Sequence, residues 1–332
     1  MYAGWQPATG AWLWRQLARL GPLPGSVLIF QCVTYFTSIA MVARRAQTPA
    51  WRFALVALLP VPFLLLGSVW KDAQMGAALT ASLAFPLATP LWWAAALCFR
   101  SDAVIALAPL AWHAKRRKLW LSMLILLVVA VAALNAALVQ RRLSLVSQQI
   151  FLQDLATVSV ATNANQFPDF FCKRPLECSE ALRRKYNEED IVPILFDHQD
   201  FRIAESPSEY AALVASWLRS VPMHPWLIAH AHALRWAKLF GIEGSPASTV
   251  IYWSAAPPVA ADHALSFYEW MFRHSGNVIF RGWPYLLVLL VMWRKKVAQS
   301  GLIYALALFF IAPAVEFRYL AWPVFAAVIA LL

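Results

Sequence analysis

Lys115-Arg-Arg-Lys-Leu-Trp-Leu-Ser-Met-Leu-Ile-Leu-Leu-Val-Val-Ala-Val-Ala-Ala-Leu-Asn-Ala-Ala-Leu138 decides the class of this chain. Four bases precede an uncharged stretch from Leu119 to Leu138, and about 20 apolar residues make a helix that crosses a hydrocarbon core. Apolar runs recur at 24–43, 51–70, 73–88, 283–293, 302–315 and 320–332. Several fall below about 17 residues and need tilt, re-entrance or local thinning to span. Hydrophobic residues are 61% of the chain and charged residues 14%. The expected fold class is therefore an all-α polytopic membrane protein. The apolar stretch 91–112 is interrupted by Arg100, Ser101 and Asp102, which predicts two short helices meeting at a polar tip.

The net charge of +11 does not point to nucleic acid. Residues 141–281 carry 13 Lys and Arg against 14 Asp and Glu, so the basic excess lies in the apolar part. It is concentrated in short loops: Arg44, Arg45 and Arg52; Lys115 to Lys118; and Arg294, Lys295 and Lys296. The positive-inside rule makes those loops cytoplasmic. The Lys71-Asp72 turn, the Arg100–Asp102 tip, residues 141–281 and the turn Glu316-Phe-Arg-Tyr319 then lie outside. The chain divides into an interfacial amphipathic helix (1–22), N-terminal transmembrane helices (23–140), a mostly helical extracytoplasmic insertion of about 140 residues (141–281) and C-terminal transmembrane helices (282–332). Within 1–22, Trp12, Leu13, Leu17 and Leu20 are apolar and Arg15 and Arg19 polar. Both ends read as incomplete, with a further transmembrane helix expected upstream.

In the insertion, 144–158 and 181–189 read as helices and 191–196 as a short strand. Ser206-Pro-Ser-Glu209 has the spacing of a capping box that starts another helix, and 226–239 forms one more. Cys172 and Cys178 lie in this external, oxidising region, and their spacing predicts a structural disulfide. Cys32 and Cys98 fall in apolar spans and read as packing residues. His224, His230 and His232 suggest a metal, but positions i and i+2 of a helix do not share a face, so no metal or other cofactor is expected.

Only three of the 17 acids (17 − 14) lie outside 141–281: Asp72, Asp102 and Glu316. Each has a base close by: Lys71, Arg100 and Arg318 respectively. A charge in hydrocarbon is costly, so such residues face a partner or a wet cavity. The plain readings are an interfacial anchor at Lys71-Asp72, a structural ion pair at Arg100 and Asp102, and a simple turn at Glu316 and Arg318. The functional reading is one polar chamber. There Asp72 is the catalytic acid–base group, and Lys71, Arg100, Asp102, His224, Glu316, Arg318 and Tyr319 bind substrate. Arginine suits bidentate phosphate binding.

Several strings together resemble a family of bacterial GT-C-like membrane glycosyltransferases. They are Trp5-Gln-Pro7 with Ala11-Trp-Leu-Trp14; Trp70-Lys-Asp72 with Gly76-Ala-Ala-Leu79; Phe99-Arg-Ser-Asp-Ala103 with Pro109-Leu110; His224-Pro225; and Glu316-Phe-Arg-Tyr319. They span nearly the whole chain in the family's order. Gln6 stands where the pattern has His, Ser101-Asp102 where it has His-Asn, and Ala231 and Ala233 flank His232. The resemblance implies a GT-C-like fold in the bacterial cytoplasmic (inner) membrane and a polyprenyl-phosphate-linked sugar as donor. It also implies a catalytic acid in a first external loop that precedes this sequence, so the chain reads as N-terminally truncated relative to the family.

Three functions compete. A glycosyltransferase would move the sugar to an extracytoplasmic glycan, lipid or protein; it needs an external carboxylate to take the acceptor's proton and cations to meet the leaving phosphate. A non-catalytic relative would bind lipid-linked glycan or partner an active transferase. A transporter is the third, though no repeat of broken helices, the usual pointer, is visible. The expected partners are the lipid-linked donor and membrane lipids.

Overall fold

The computed structural model describes residues 8–21, 23–57, 59–67, 71–138, 145–174, 177–195, 197, 199–243, 278, 281–312 and 314–332. Trp5-Gln-Pro7, Trp70 and most of 244–280 lie outside them. All regular structure among the described residues is helical, with two isolated antiparallel bridges, Cys172 to Phe201 and Asp190 to Ala314. The helices are α1 (Ala8–Leu17), α2 (Gly25–Arg45), α3 (Ala50–Ala57), α4 (Pro60–Gly67), α5 (Lys71–Ala84), α6 (Thr89–Phe99), α7 (Ala103–Trp112), α8 (Arg117–Leu138), α9 (Leu145–Thr162), α10 (Cys178–Lys185), α11 (Val192–Leu195), α12 (Pro207–Ser220), α13 (Pro225–Leu239), α14 (Trp283–Val291), α15 (Lys296–Ile311) and α16 (Ala321–Leu331).

Two of them, α2 and α8, are long and apolar enough to cross a membrane, whereas the apolar stretches Pro86–Phe99, Ala103–Trp112, Lys296–Ile311 and Arg318–Leu331 are shorter. The expected span 51–70 is instead two eight-residue helices. Pro60 begins the second and Pro62 sits within its first turn, where a missing N–H is tolerated but a continuous helix is not. The expected strand 191–196 is the helical turn α11. Its apolar residues Ile194 and Leu195 are buried, and short apolar runs do not tell strand from helix. The helix expected over 181–189 begins at Cys178 and ends at Lys185.

A large apolar core joins α2 through α8 to α14, α15 and α16. Helix α16 is its axis, with every residue from Ala321 to Ala330 buried. Gly76 on α5 permits the closest approach, because a Cβ there would overlap the Phe325 ring of α16. Outward-facing apolar residues flank this bundle, including Ile29 and Val33 on α2, Ile125, Leu126 and Val129 on α8, and Ile303, Leu306 and Phe310 on α15. Helix α1, expected at an interface, packs on α6 and α8 and also bonds to α5: the backbone N–H of Thr9 donates to Asn135 Oδ1 of α8 at 2.9 Å, and Trp14 Nε1 donates to Gln74 Oε1 of α5 at 2.7 Å.

A second, smaller core belongs to the insertion. Leu152, Leu155, Leu182, Ile194, Phe201 and Leu213 share this core with the stacked rings of Phe167 and Phe171, 3.9 Å apart. Cys172 and Cys178 are joined by a disulfide, with Cα atoms 5.7 Å apart. Ser206 caps α12: its side chain accepts from Glu209 N–H at 3.2 Å, and Glu209 Oε2 accepts from Ser206 N–H at 3.1 Å.

The basic loops gather at one end of the bundle. Lys296 Nζ donates to the His113 carbonyl at 2.7 Å, Lys295 Nζ to that of Ala330 at 2.7 Å, and Thr48 Oγ1 to that of Leu332 at 3.0 Å. The residues singled out as a chamber lie toward the opposite end, where the insertion docks.

Candidate functional site

Helix α6 stops at Phe99 because Arg100 takes an extended backbone (φ −147°, ψ 122°). The chain re-enters helix at Ala103 with Asp102 in the N-cap position, yet the Asp102 side chain makes no capping bond. It turns to Arg100 instead. Arg100 Nε donates to Asp102 Oδ1 at 2.8 Å, Nη2 donates to Oδ2 at 2.5 Å, and Nη1 donates to Asp72 Oδ1. Tyr304 of α15 donates its hydroxyl to Asp102 Oδ2 at 3.1 Å. The Arg100–Asp102 tip therefore meets α15 eight residues past its start at Lys296, about 12 Å along a helix axis.

Asp72 sits in the first turn of α5, where the exposed N–H groups favour a negative charge. Its residue is 1% exposed, and its Oδ2 has no hydrogen-bond partner among the described residues. Lys71, the preceding residue, is within electrostatic reach of Arg100, Asp72, Arg318 and Asp102.

The turn before α16 supplies the remaining wall. Pro313 has no N–H, so α15 ends at Ile311; Ala312 and Glu316 are extended, and a 3-10 turn, Phe317–Leu320, follows. Arg318 pairs with Glu316. The Tyr319 ring meets two guanidinium groups, with Arg100 Cζ 5.2 Å and Arg318 Cζ 5.4 Å from its centroid. The structure thus brings together Lys71, Asp72, Arg100, Asp102, Glu316, Arg318 and Tyr319. His224 stands apart at the N-terminus of α13, and no described contact links it to the cluster. Arg100, expected to bind substrate, is engaged by two carboxylates of the protein itself.

Sequence reading missed a contribution from the insertion. Val315 N–H donates to the Glu189 carbonyl at 2.8 Å and Asp190 bridges Ala314, so the acidic run Glu188-Glu189-Asp190 lies against the turn. Burial pushes the Asp190 carboxyl above its ordinary value, against the pull of Arg318. Burial likewise pushes Glu316 up, opposed by Arg318 and reinforced by Asp190 and Asp72. Nothing in the sequence separates Asp190 from the other acids of a soluble-like region.

A second buried polar group joins the insertion to the bundle. Helix α13 packs on both α9 and α15. His232 Nδ1 lies 2.7 Å from the Phe309 carbonyl, whose usual helical donor at position 313 is a proline, and Nε2 lies 2.8 Å from Asp154 Oδ1. Trp217 Nε1 donates to Asp154 Oδ2 at 2.9 Å, and Trp236 Nε1 donates to the Ala305 carbonyl at 2.8 Å. Among the described residues, no group of three or more His, Cys, Asp or Glu is arranged to hold a metal ion. No family model, no curated protein and no solved structure matched the chain.

Proposed function

We propose that this chain is a polytopic, GT-C-like membrane glycosyltransferase that moves a sugar from a polyprenyl-phosphate carrier to an extracytoplasmic acceptor. The observation that carries the reading is Asp72. One of its oxygens is held by Arg100, and the other, buried, has no partner among the described residues. A fixed carboxylate with an open acceptor oxygen is what a general base requires. In this reading Asp72 Oδ2 takes the acceptor's hydroxyl proton as the acceptor oxygen bonds to the anomeric carbon. The bond from that carbon to the phosphate oxygen breaks, and the phosphate leaves with the electron pair. Lys71 and Arg318 meet its charge. The collection of basic loops at the far end of the bundle and the outward apolar flanks support a membrane setting with the cluster on the extracytoplasmic side.

A non-catalytic lipid-phosphate binder is the second reading. The closed set of Asp72, Arg100, Asp102 and Tyr304 favours it, because both acids already have a structural task. The test is transfer from a radiolabelled polyprenyl-phosphate sugar in membranes holding the full chain, with donor binding measured in parallel. Asp72→Asn keeps the side-chain shape, and Asp102 still holds Arg100, so folding persists. The expected result is donor binding near wild type and transfer reduced by about 100-fold or more. Binding without any wild-type transfer selects the second reading; neither binding nor transfer ends both.

A further inference from the structure

Arg235 is 5% exposed on the face of α13 that packs toward α9 and α15. Helical spacing puts it with His232, Trp236 and Leu239, a face that burial would ordinarily make apolar. Its Nε and Nη2 atoms are buried and have no hydrogen-bond partner among the described residues. Those two atoms form one edge of the guanidinium plane, with parallel N–H bonds spaced for the two oxygens of an oxyanion. Arg100 shows the same edge in use, where Nε and Nη2 grip both oxygens of Asp102. At Arg235 that edge grips nothing among the described residues.

The surrounding residues do not fill it. Asp154 is within electrostatic reach, but its two oxygens are engaged by His232 and Trp217. Tyr186 shares its hydroxyl bond with Thr157 at 3.0 Å. Glu188 is exposed to solvent. A further buried atom, Gln153 Oε1, also lacks a partner among the described residues, while the amide nitrogen of the same side chain donates to the Asn187 carbonyl at 2.9 Å beside Glu188. A buried guanidinium edge left without hydrogen-bond acceptors is a costly arrangement for a fold to retain, even with carboxylates in the neighbourhood.

We propose that Arg235 is the anchor of an oxyanion-binding site between the insertion and the bundle, gripping a carboxylate or phosphate group side-on. The site is separate from the Asp72–Arg318 cluster and does not depend on the sugar-transfer reading. Glu188 faces Arg235 electrostatically and Asp190 faces Arg318, so the two sites lie on either side of one short acidic run.

The experiment uses the full chain in lipid nanodiscs. Inorganic phosphate and sodium acetate are titrated separately at constant ionic strength, and the thermal unfolding midpoint is read by tryptophan fluorescence. A ligand that binds only the folded state raises that midpoint in a saturable way. The expected result is such a rise with at least one of the two anions; phosphate alone marks a phosphoryl ligand and acetate alone a carboxylate. Arg235→Lys retains the charge without the fork and should need at least tenfold more anion. Arg235→Met should show no anion response, with a midpoint at or above that of the anion-free wild type. The proposal is overturned if neither anion moves the wild-type midpoint, if Arg235→Lys responds like wild type, or if the response disappears in Arg318→Lys and persists in Arg235→Met.

Discussion

At the scale of single residues, Glu316 offers the clearest test of the outer turn. Burial and the neighbouring Asp190 and Asp72 raise its affinity for a proton above that of a free glutamate, and Arg318 offsets this only in part. A carboxyl whose folded-state value is raised binds more protons folded than unfolded. Its protonation therefore favours the fold at low pH, and that contribution fades as pH rises from the ordinary glutamate value through the raised one. Asp190 shifts in the same direction. Glu316→Gln should flatten the loss of stability that sets in as pH rises above the ordinary glutamate range and lie above wild type at the upper end. Unfolding midpoints of the two proteins across that range decide it; parallel curves would refute the assignment. Asp72, Arg100 and Arg318 were legible in sequence because a charge in an apolar run has few bland explanations. Tyr304, Asp190, Asp154 and Arg235 were not, because a tyrosine in an apolar helix and charges in a soluble-like stretch are ordinary until packing brings them together.

At the scale of elements, caps and breaks were more readable than lengths. The pattern Ser206-Pro-Ser-Glu209 names its own geometry, since a serine and a glutamate three apart satisfy each other's backbone N–H groups. Ser206→Ala removes one of these bonds and should cost about 1 kcal/mol. Chemical denaturation of the full chain measures it, and a change below about 0.3 kcal/mol would mean that packing alone fixes the start of α12. The tip at Arg100–Asp102 was equally plain, because two charges cannot continue an apolar helix without partners. The run 51–70 was misread: its apolar length outweighed Pro60 and Pro62, whose missing N–H groups end one helix and start another. The run 191–196 was too short for periodicity to separate strand from turn of helix.

At the scale of the whole molecule, the two cores are joined through α13 and the Glu188–Asp190 run. The all-helical class followed from composition. The join did not, because it rests on His232 meeting a carbonyl left without a donor by Pro313, a pairing 77 residues apart from 232 to 309. The polarity of the bundle predicts that cysteines introduced at position 115 are shielded from an impermeant maleimide added outside intact cells, while those at position 183 react. Labelling at 115 but not 183 would invert the proposed orientation.

The depth of the Arg100–Asp102 tip carries an electrical consequence. It meets α15 at Tyr304, so only about 12 Å of helix separates it from the basic end at Lys296. A membrane voltage falls across insulating material and hardly at all through water. Arg100 and Asp72 are largely buried, so in the proposed membrane setting the protein between the outer turn and the tip carries part of the voltage drop. Moving one elementary charge through 100 mV is worth about 2.3 kcal/mol, so an anion descending from the outer turn to the tip crosses a measurable part of the field. Its affinity in proteoliposomes should shift when a potassium gradient with valinomycin sets the voltage. An affinity indifferent to voltage would mean that the tip stands outside the field, in contact with bulk electrolyte on the docking side.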